Sequence, residues 1–189
     1  APKMLEWISE CVYAAKEKCS EVEFCAVDAT RADKEFLNTA ISVAADAGAT
    51  RICICDSTGD MMPDDFAAFA KEIKANTTLP VGVSCNNKNG LAVANAVMAA
   101  KNGANTVKTA VSNEIDLATF AGVIKNCGNS LGFESNVKYT ELNRIINQIN
   151  WIMGNAKSAT ASAKSDDDFS DELSLTKADD KQTVLDAAM

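Results

Sequence analysis

The chain has 189 residues, 47% of them hydrophobic and 6% aromatic, which suits one domain with a sizeable core. Its net charge of −8, with no basic stripe to offset it, disfavours nucleic acid and anionic membranes as partners. No apolar run approaches the ~18 residues of a transmembrane helix, and Ala1-Pro-Lys3 lacks the charged-then-apolar pattern of a signal peptide, so a cytoplasmic protein is expected.

Met4, Leu5, Ile8, Cys11, Val12, Ala15 and Cys19 recur at helical spacing, so the chain is expected to open on an amphipathic helix. Val22 to Val27 reads as a strand ending in Asp28-Ala-Thr-Arg31. Asp33 is placed to cap a helix bearing Phe36, Leu37, Ala40, Ile41 and Ala44. Arg51 to Cys55 is a second strand, ending in Asp56-Ser-Thr-Gly59. Pro63 then opens a third helix with Asp64 and Asp65 suiting its dipole. Val81 to Cys85 is a third strand, followed by a polar turn and a helix entered through Leu91. Asn105 to Val111 reads as the fourth strand and Ile115 to Ile124 as a helix. Thr140 is placed to cap another, with Leu142, Ile145, Ile146, Ile149 and Ile152 as its stripe.

The strands begin near residues 22, 51, 81 and 106, a period of about 25–30 residues that fits parallel βα units. A complete (βα)8 barrel needs about 250 residues and eight strands. The expected fold is therefore α/β, four parallel βα units plus C-terminal helices, arranged as a partial (βα)8 TIM barrel (a half barrel) or as a small open sheet. The expected organisation is a half-barrel domain over 1–154 and a flexible linker over 155–175. The linker is rich in Ala, Ser, Lys and Asp, and residues 176–189 begin a helical segment of a longer protein.

Seven cysteines stand at 11, 19, 25, 53, 55, 85 and 127, mostly in apolar strands or on apolar helix faces. They read as small core residues in a reducing compartment, with both sulfurs of Cys53-Ile-Cys55 on one side of the sheet. A metal site would call for a C-x-x-C pair or nearby histidines, and the chain has neither.

The turn Ser84-Cys-Asn-Asn-Lys-Asn-Gly-Leu-Ala-Val-Ala-Asn95 resembles a motif of the isopropylmalate, citramalate and homocitrate synthases and the hydroxymethylglutaryl-CoA lyases. There it reads His-x-His-Asn-Asp-x-Gly-Leu-Ala-x-Ala-Asn. Asp28-Ala-x-Arg31 with Asp33-x-Glu-Phe36 is similar to the family's fifth strand and helix, Asp56-Ser-x-Gly59 with Pro63 to its sixth, and Gly103-Ala104 to the entry of its eighth. The resemblance implies the carboxyl-terminal half of the catalytic barrel, with the first four strands and their metal-binding Asp outside this chain.

In that family a divalent metal held by the Asp, two histidines and often an Asn polarises a 2-oxo acid while the enolate of acetyl-CoA attacks. Here Ser84 and Asn86 stand at the histidine positions and Lys88 at that of the acid, and the sequence contains no histidine. The resemblance therefore implies a barrel fragment that holds no metal or other cofactor and is inactive on its own, with an assembly or regulatory role. Asp28, Arg31, Asp56, Ser57 and Asn87 at the strand ends are the candidates for a residual pocket that takes a small carboxylate. An active acyltransferase completed by a missing amino-terminal half is one alternative. A Schiff-base aldolase using Lys108, read as mid-strand, is another. Bare edge strands and an uncovered inner layer imply a homo-oligomer or a complementary half barrel as partner.

Overall fold

The computed structural model describes residues 2–111 and 114–161. Helix α1 spans Pro2–Lys16, strand β1 Glu23–Ala26, α2 Lys34–Asp46, β2 Arg51–Asp56, α3 Pro63–Ala75, β3 Val81–Cys85, α4 Ala92–Lys101, β4 Thr106–Val107, α5 Leu117–Leu131 and α6 Tyr139–Ala161. A short 3-10 turn, Ala29–Arg31, follows β1. The strands form one parallel sheet in the order β1-β2-β3-β4, each joined to the next by a helix. This is the α/β arrangement of consecutive βα units, a partial TIM barrel of four strands.

Alternation along the strands divides the sheet into two chemistries. Phe24, Ala26, Ile52, Ile54, Val81, Val83, Cys85 and Val107 face the helices, where they meet Leu37, Ile41, Phe66, Phe69, Ile73, Ala96 and Ala99 in the main core. Phe66, Ile52 and Val83 are fully buried. Glu23, Cys25, Cys53, Cys55, Gly82, Ser84, Thr106 and Lys108 alternate with these and face the other way, the side that would line a closed barrel.

The local signals expected from the sequence set most boundaries. Asp33 caps α2, its carboxylate accepting the Phe36 N–H at 2.9 Å, and Pro63 occupies the first position of α3. Four elements differ from expectation. In α1 only Val12 is buried, while Met4, Cys11 and Trp7 stay exposed, because α1 packs chiefly on α2 through a satellite cluster with Ala44 and Ala49.

The fourth strand is shorter than Asn105 to Val111. The Lys108 N–H still reaches the Val83 carbonyl at 2.9 Å, but Ala110 then turns to bond with Ile115 and Leu117 instead of extending the ladder. Helix α5 starts at Leu117, not Ile115, because the Asp116 carboxylate caps it through the Thr119 N–H at 2.7 Å. On α6 the buried stripe narrows to Ile146 with its part-buried neighbours Leu142 and Ile149, leaving Ile145 and Ile152 exposed.

The chain divides after Ile152 into two units, the second being Met153–Met189. Helix α6 continues to Ala161, so its end occupies the first positions read as linker; the rest of that linker and the segment 176–189 lie outside the described residues. Among the described residues no helix is long and apolar enough to cross a membrane.

Candidate functional site

A cavity of about 360 Å³ opens at the carboxyl ends of the strands on the inner face. It is lined by Cys25 and Val27 of the first strand end, Cys55, Asp56 and Ser57 of the second, Ser84 and Asn86 of the third, Lys108 after the fourth, and Glu114. Strand ends converge here because every parallel strand delivers its following turn to the same edge, which is where α/β folds gather functional side chains.

The turns are tied to one another by short polar contacts. The Asn86 N–H donates to the Asp56 carbonyl at 2.9 Å, and Asn89 donates to the Gly59 carbonyl and to Asp60, both at 3.0 Å. Gly59, at φ +68°, makes this approach possible: a Cβ there would sit 2.5 Å from the Asn86 carbonyl oxygen. Asp56, only 1% exposed, accepts from the Gly59 N–H at 3.0 Å and from the hydroxyls of Thr58 and Thr30, while its Oδ2 is buried without a partner. Asn95, the last residue of the Gly-Leu-Ala-Val-Ala-Asn run, is fully buried and donates to the Met61 carbonyl at 3.1 Å, pinning α4 to the loop before α3.

Of the residues expected to form a residual pocket, the cavity brings together Asp56 and Ser57. Asp28, Arg31 and Asn87 are not among its lining residues. Asp28 adopts a left-handed conformation, φ 59°, and its carboxylate takes the Arg31 guanidinium at 2.9 Å. That guanidinium holds the Asp28 carboxyl below its ordinary range. The Asp28 N–H donates to the Ser57 hydroxyl at 3.0 Å, so Ser57 ties two strand ends together. Asn87 accepts the Ala92 N–H at 3.2 Å at the start of α4. Ser84 and Asn86 both line the cavity, and the Asn86 side-chain oxygen is occupied by the Lys88 N–H at 2.9 Å.

Lys108 lies one residue past β4, not mid-strand, and its ammonium crosses the inner face to form an ion pair with Glu23 on β1. The Glu23 hydrogen bond raises the Lys108 pKa above the usual lysine range. A Schiff-base lysine needs the opposite shift, toward a neutral amine at working pH.

The same ammonium stands 3.7 Å from the Cys25 sulfur. Cys25, Cys53 and Cys55 bring their sulfurs within 4.8 Å of one another, a convergence that residue spacing alone does not reveal. It follows from the register, which sets Cys25 opposite Cys53 across two strands, and register is not written in either strand by itself. The Cys55 thiol is lowered to about 6, first by the hydrogen bond from Cys53 and then by Cys25 and Lys108. Burial is the main reason the Cys25 thiol is raised.

A parallel βα sheet with its turns gathered over one open inner face defines the class: a segment of a barrel whose site lies at the strand ends. The sequence profile of the HMGL-like family matches residues 1–145, and the chain belongs to that family. It is 32% identical over 161 residues to a 2-isopropylmalate synthase of Acetivibrio thermocellus, covering 80% of this chain and 32% of that protein. A 2-isopropylmalate synthase of Sulfurisphaera tokodaii is 34% identical over 157 residues, covering 79% and 41%. The crystal structure of an HMG-CoA lyase from Bacillus subtilis superposes with a TM-score of 0.70 at 14% identity, covering 79% of this chain and 55% of that one, and shows the shared fold. The chain thus spans 32% and 41% of the length of the two synthases it matches.

Proposed function

We propose that this chain is the carboxyl-terminal half of an isopropylmalate/homocitrate-synthase-like barrel, that it carries out no acyl-CoA plus 2-oxo acid condensation alone, and that its role lies in assembly or regulation. The observation that carries this reading is the donor set at the third strand end. Ser84 offers a neutral hydroxyl, and the Asn86 side-chain oxygen already accepts from the Lys88 backbone. Neither matches an imidazole nitrogen as a donor to a divalent ion, and Glu23 is committed to Lys108. These residues do not fit the metal of the family's condensation reaction.

The expected partner is a second copy or a complementary half barrel. The inner face and the edge strand β1 offer such a partner a place to join, and Val27 after β1 and Met4 and Trp7 of α1 are exposed apolar side chains. The cytosol is the compartment proposed, in keeping with seven unpaired cysteines.

The test is a condensation assay on the purified chain with acetyl-CoA and a panel of 2-oxo acids, with and without manganese, beside sedimentation analysis. No release of coenzyme A and a self-associated species are expected. Manganese-dependent turnover by the chain alone would sink the claim of inactivity, and a monomer at micromolar concentration the claim of self-association.

A further inference from the structure

Nothing in the condensation reading uses the three cysteines on the inner face. Cys25 comes from β1, and Cys53 and Cys55 from alternate positions of β2, so the register alone places them on one side of the sheet. Their sulfurs all lie within 4.8 Å of one another, and those of Cys25 and Cys55 are 3.5 Å apart. Zinc–thiolate bonds of about 2.3 Å require sulfur–sulfur separations of about 3.8 Å in a tetrahedral site. The observed spacing approaches that with only small side-chain adjustments.

A disulfide between Cys25 and Cys55, whose sulfurs stand 3.5 Å apart, is the rival use of those two thiols, and the backbone disfavours it. Cys25 pairs with Cys53, so Cys55 lies diagonally two residues further along. With strands about 4.8 Å apart and a rise of about 3.3 Å per residue, that diagonal is about 8 Å between Cα atoms. Bridged cysteines lie within about 7 Å. Two metal–sulfur bonds span the distance that one sulfur–sulfur bond does not. Access and charge also suit an ion. Cys25 and Cys55 line the cavity, with Cys53 fully buried behind them. Three thiolates on a divalent ion carry one net negative charge, and the Lys108 ammonium, shared with Glu23, stands 3.7 Å from the Cys25 sulfur.

We propose that Cys25, Cys53 and Cys55 form a binding site for a single soft divalent ion, zinc above all, with its fourth position open to the cavity. Binding forms three metal–sulfur bonds and releases the thiol protons to solvent. This departs from the expectation of purely structural cysteines. It does not depend on the condensation reading, since it takes neither Ser84 nor Asn86 as a ligand and needs no turnover, although Cys55 pairs with Ser84 and both line the same cavity.

The test titrates the full-length, reduced, anaerobic chain with Co(II) and then with Zn(II). One Co(II) per chain is expected, with a thiolate-to-cobalt charge-transfer band and the intense visible bands of a tetrahedral site, all abolished by stoichiometric Zn(II). Cys25→Ser should weaken Co(II) binding by about 100-fold or more, and Cys127→Ser should leave it unchanged. Cys25 is exposed, so its variant keeps the fold, which circular dichroism checks; the Cys25→Ser/Cys55→Ser double variant serves as a second probe. Three outcomes each overturn the proposal: no charge-transfer band at stoichiometric Co(II), a band that persists in the double variant, or diamide oxidation that joins Cys25 to Cys55 in a chain that takes up no metal.

Discussion

The two faces of the sheet are made by the same strands and obey opposite rules. Toward the helices stand Ile52, Ile54, Val81 and Val83, all fully buried, closing on Phe66 and Ala96. Toward the inside the directly paired positions are Cys25, Cys53, Gly82 and Thr106, small or polar at every strand, with Lys108 reaching across to Glu23. One face holds the fold together by burial, while the other carries thiols, hydroxyls and a charge pair whose interest is chemical. Because the two sets of side chains project to opposite faces, the strand-end groups of such a scaffold can vary without disturbing its core.

The largest expected effect tests the helix-facing side. Phe66→Ala empties a fully buried position in the centre of the core and should cost about 3–5 kcal/mol in urea unfolding. Thr106→Ala, on the inner face of an edge strand, should cost under about 1 kcal/mol in the same experiment. Equal losses at the two positions would mean that the inner face is as much a packed core as the outer one.

A middle-sized effect tests how closely the inner face is packed across strands. A Cβ on Gly82 would stand 2.5 Å from the Thr106 hydroxyl oxygen. Gly82→Ala should therefore force the side chain or strand β4 to move, at a cost of about 1–3 kcal/mol. Thr106→Ala removes the obstructing oxygen, so the double variant should recover most of that loss in a double-mutant cycle. A Gly82→Ala chain as stable as the parent would show that β4 yields freely at this edge.

Much of the outer face was legible in the sequence, because its signals are local. Asp33 announces α2 three residues before the amide it caps, and Pro63 marks the first turn of α3. Apolar positions repeat along β2 and β3 without any need to know which strand lies beside which. The Gly-Leu-Ala-Val-Ala-Asn95 run was legible as a helix entry, though the contact from Asn95 to the Met61 carbonyl spans 34 residues and was not.

The inner face depends on register, and register is a property of pairs. The thiol cluster needs Cys25 to fall opposite Cys53, and the Glu23–Lys108 pair joins the first strand to the end of the fourth. Nor do the strand-end polar residues disclose their partners from a distance. Asp28 and Asn87 looked like pocket groups, but Asp28 holds Arg31 and Asn87 holds the start of α4.

The smallest expected effect concerns charge on the inner face. Glu23 raises the Lys108 pKa through their hydrogen bond, so the pair favours the folded chain while the ammonium is protonated. The contribution is fully present below the unfolded lysine pKa of about 10.4 and is lost as pH rises through the higher folded value. With Lys108 43% and Glu23 24% exposed, solvent screening limits it to about 1 kcal/mol at most. Urea unfolding of the parent and of Glu23→Gln, compared at pH 8 and again above pH 10.4, isolates the pair, because groups common to both chains cancel in the difference. The gap between the two chains should narrow at the higher pH. A gap that stays constant would mean that Glu23 acts through packing rather than charge, and the inner face would then resemble the outer one more than its residues suggest.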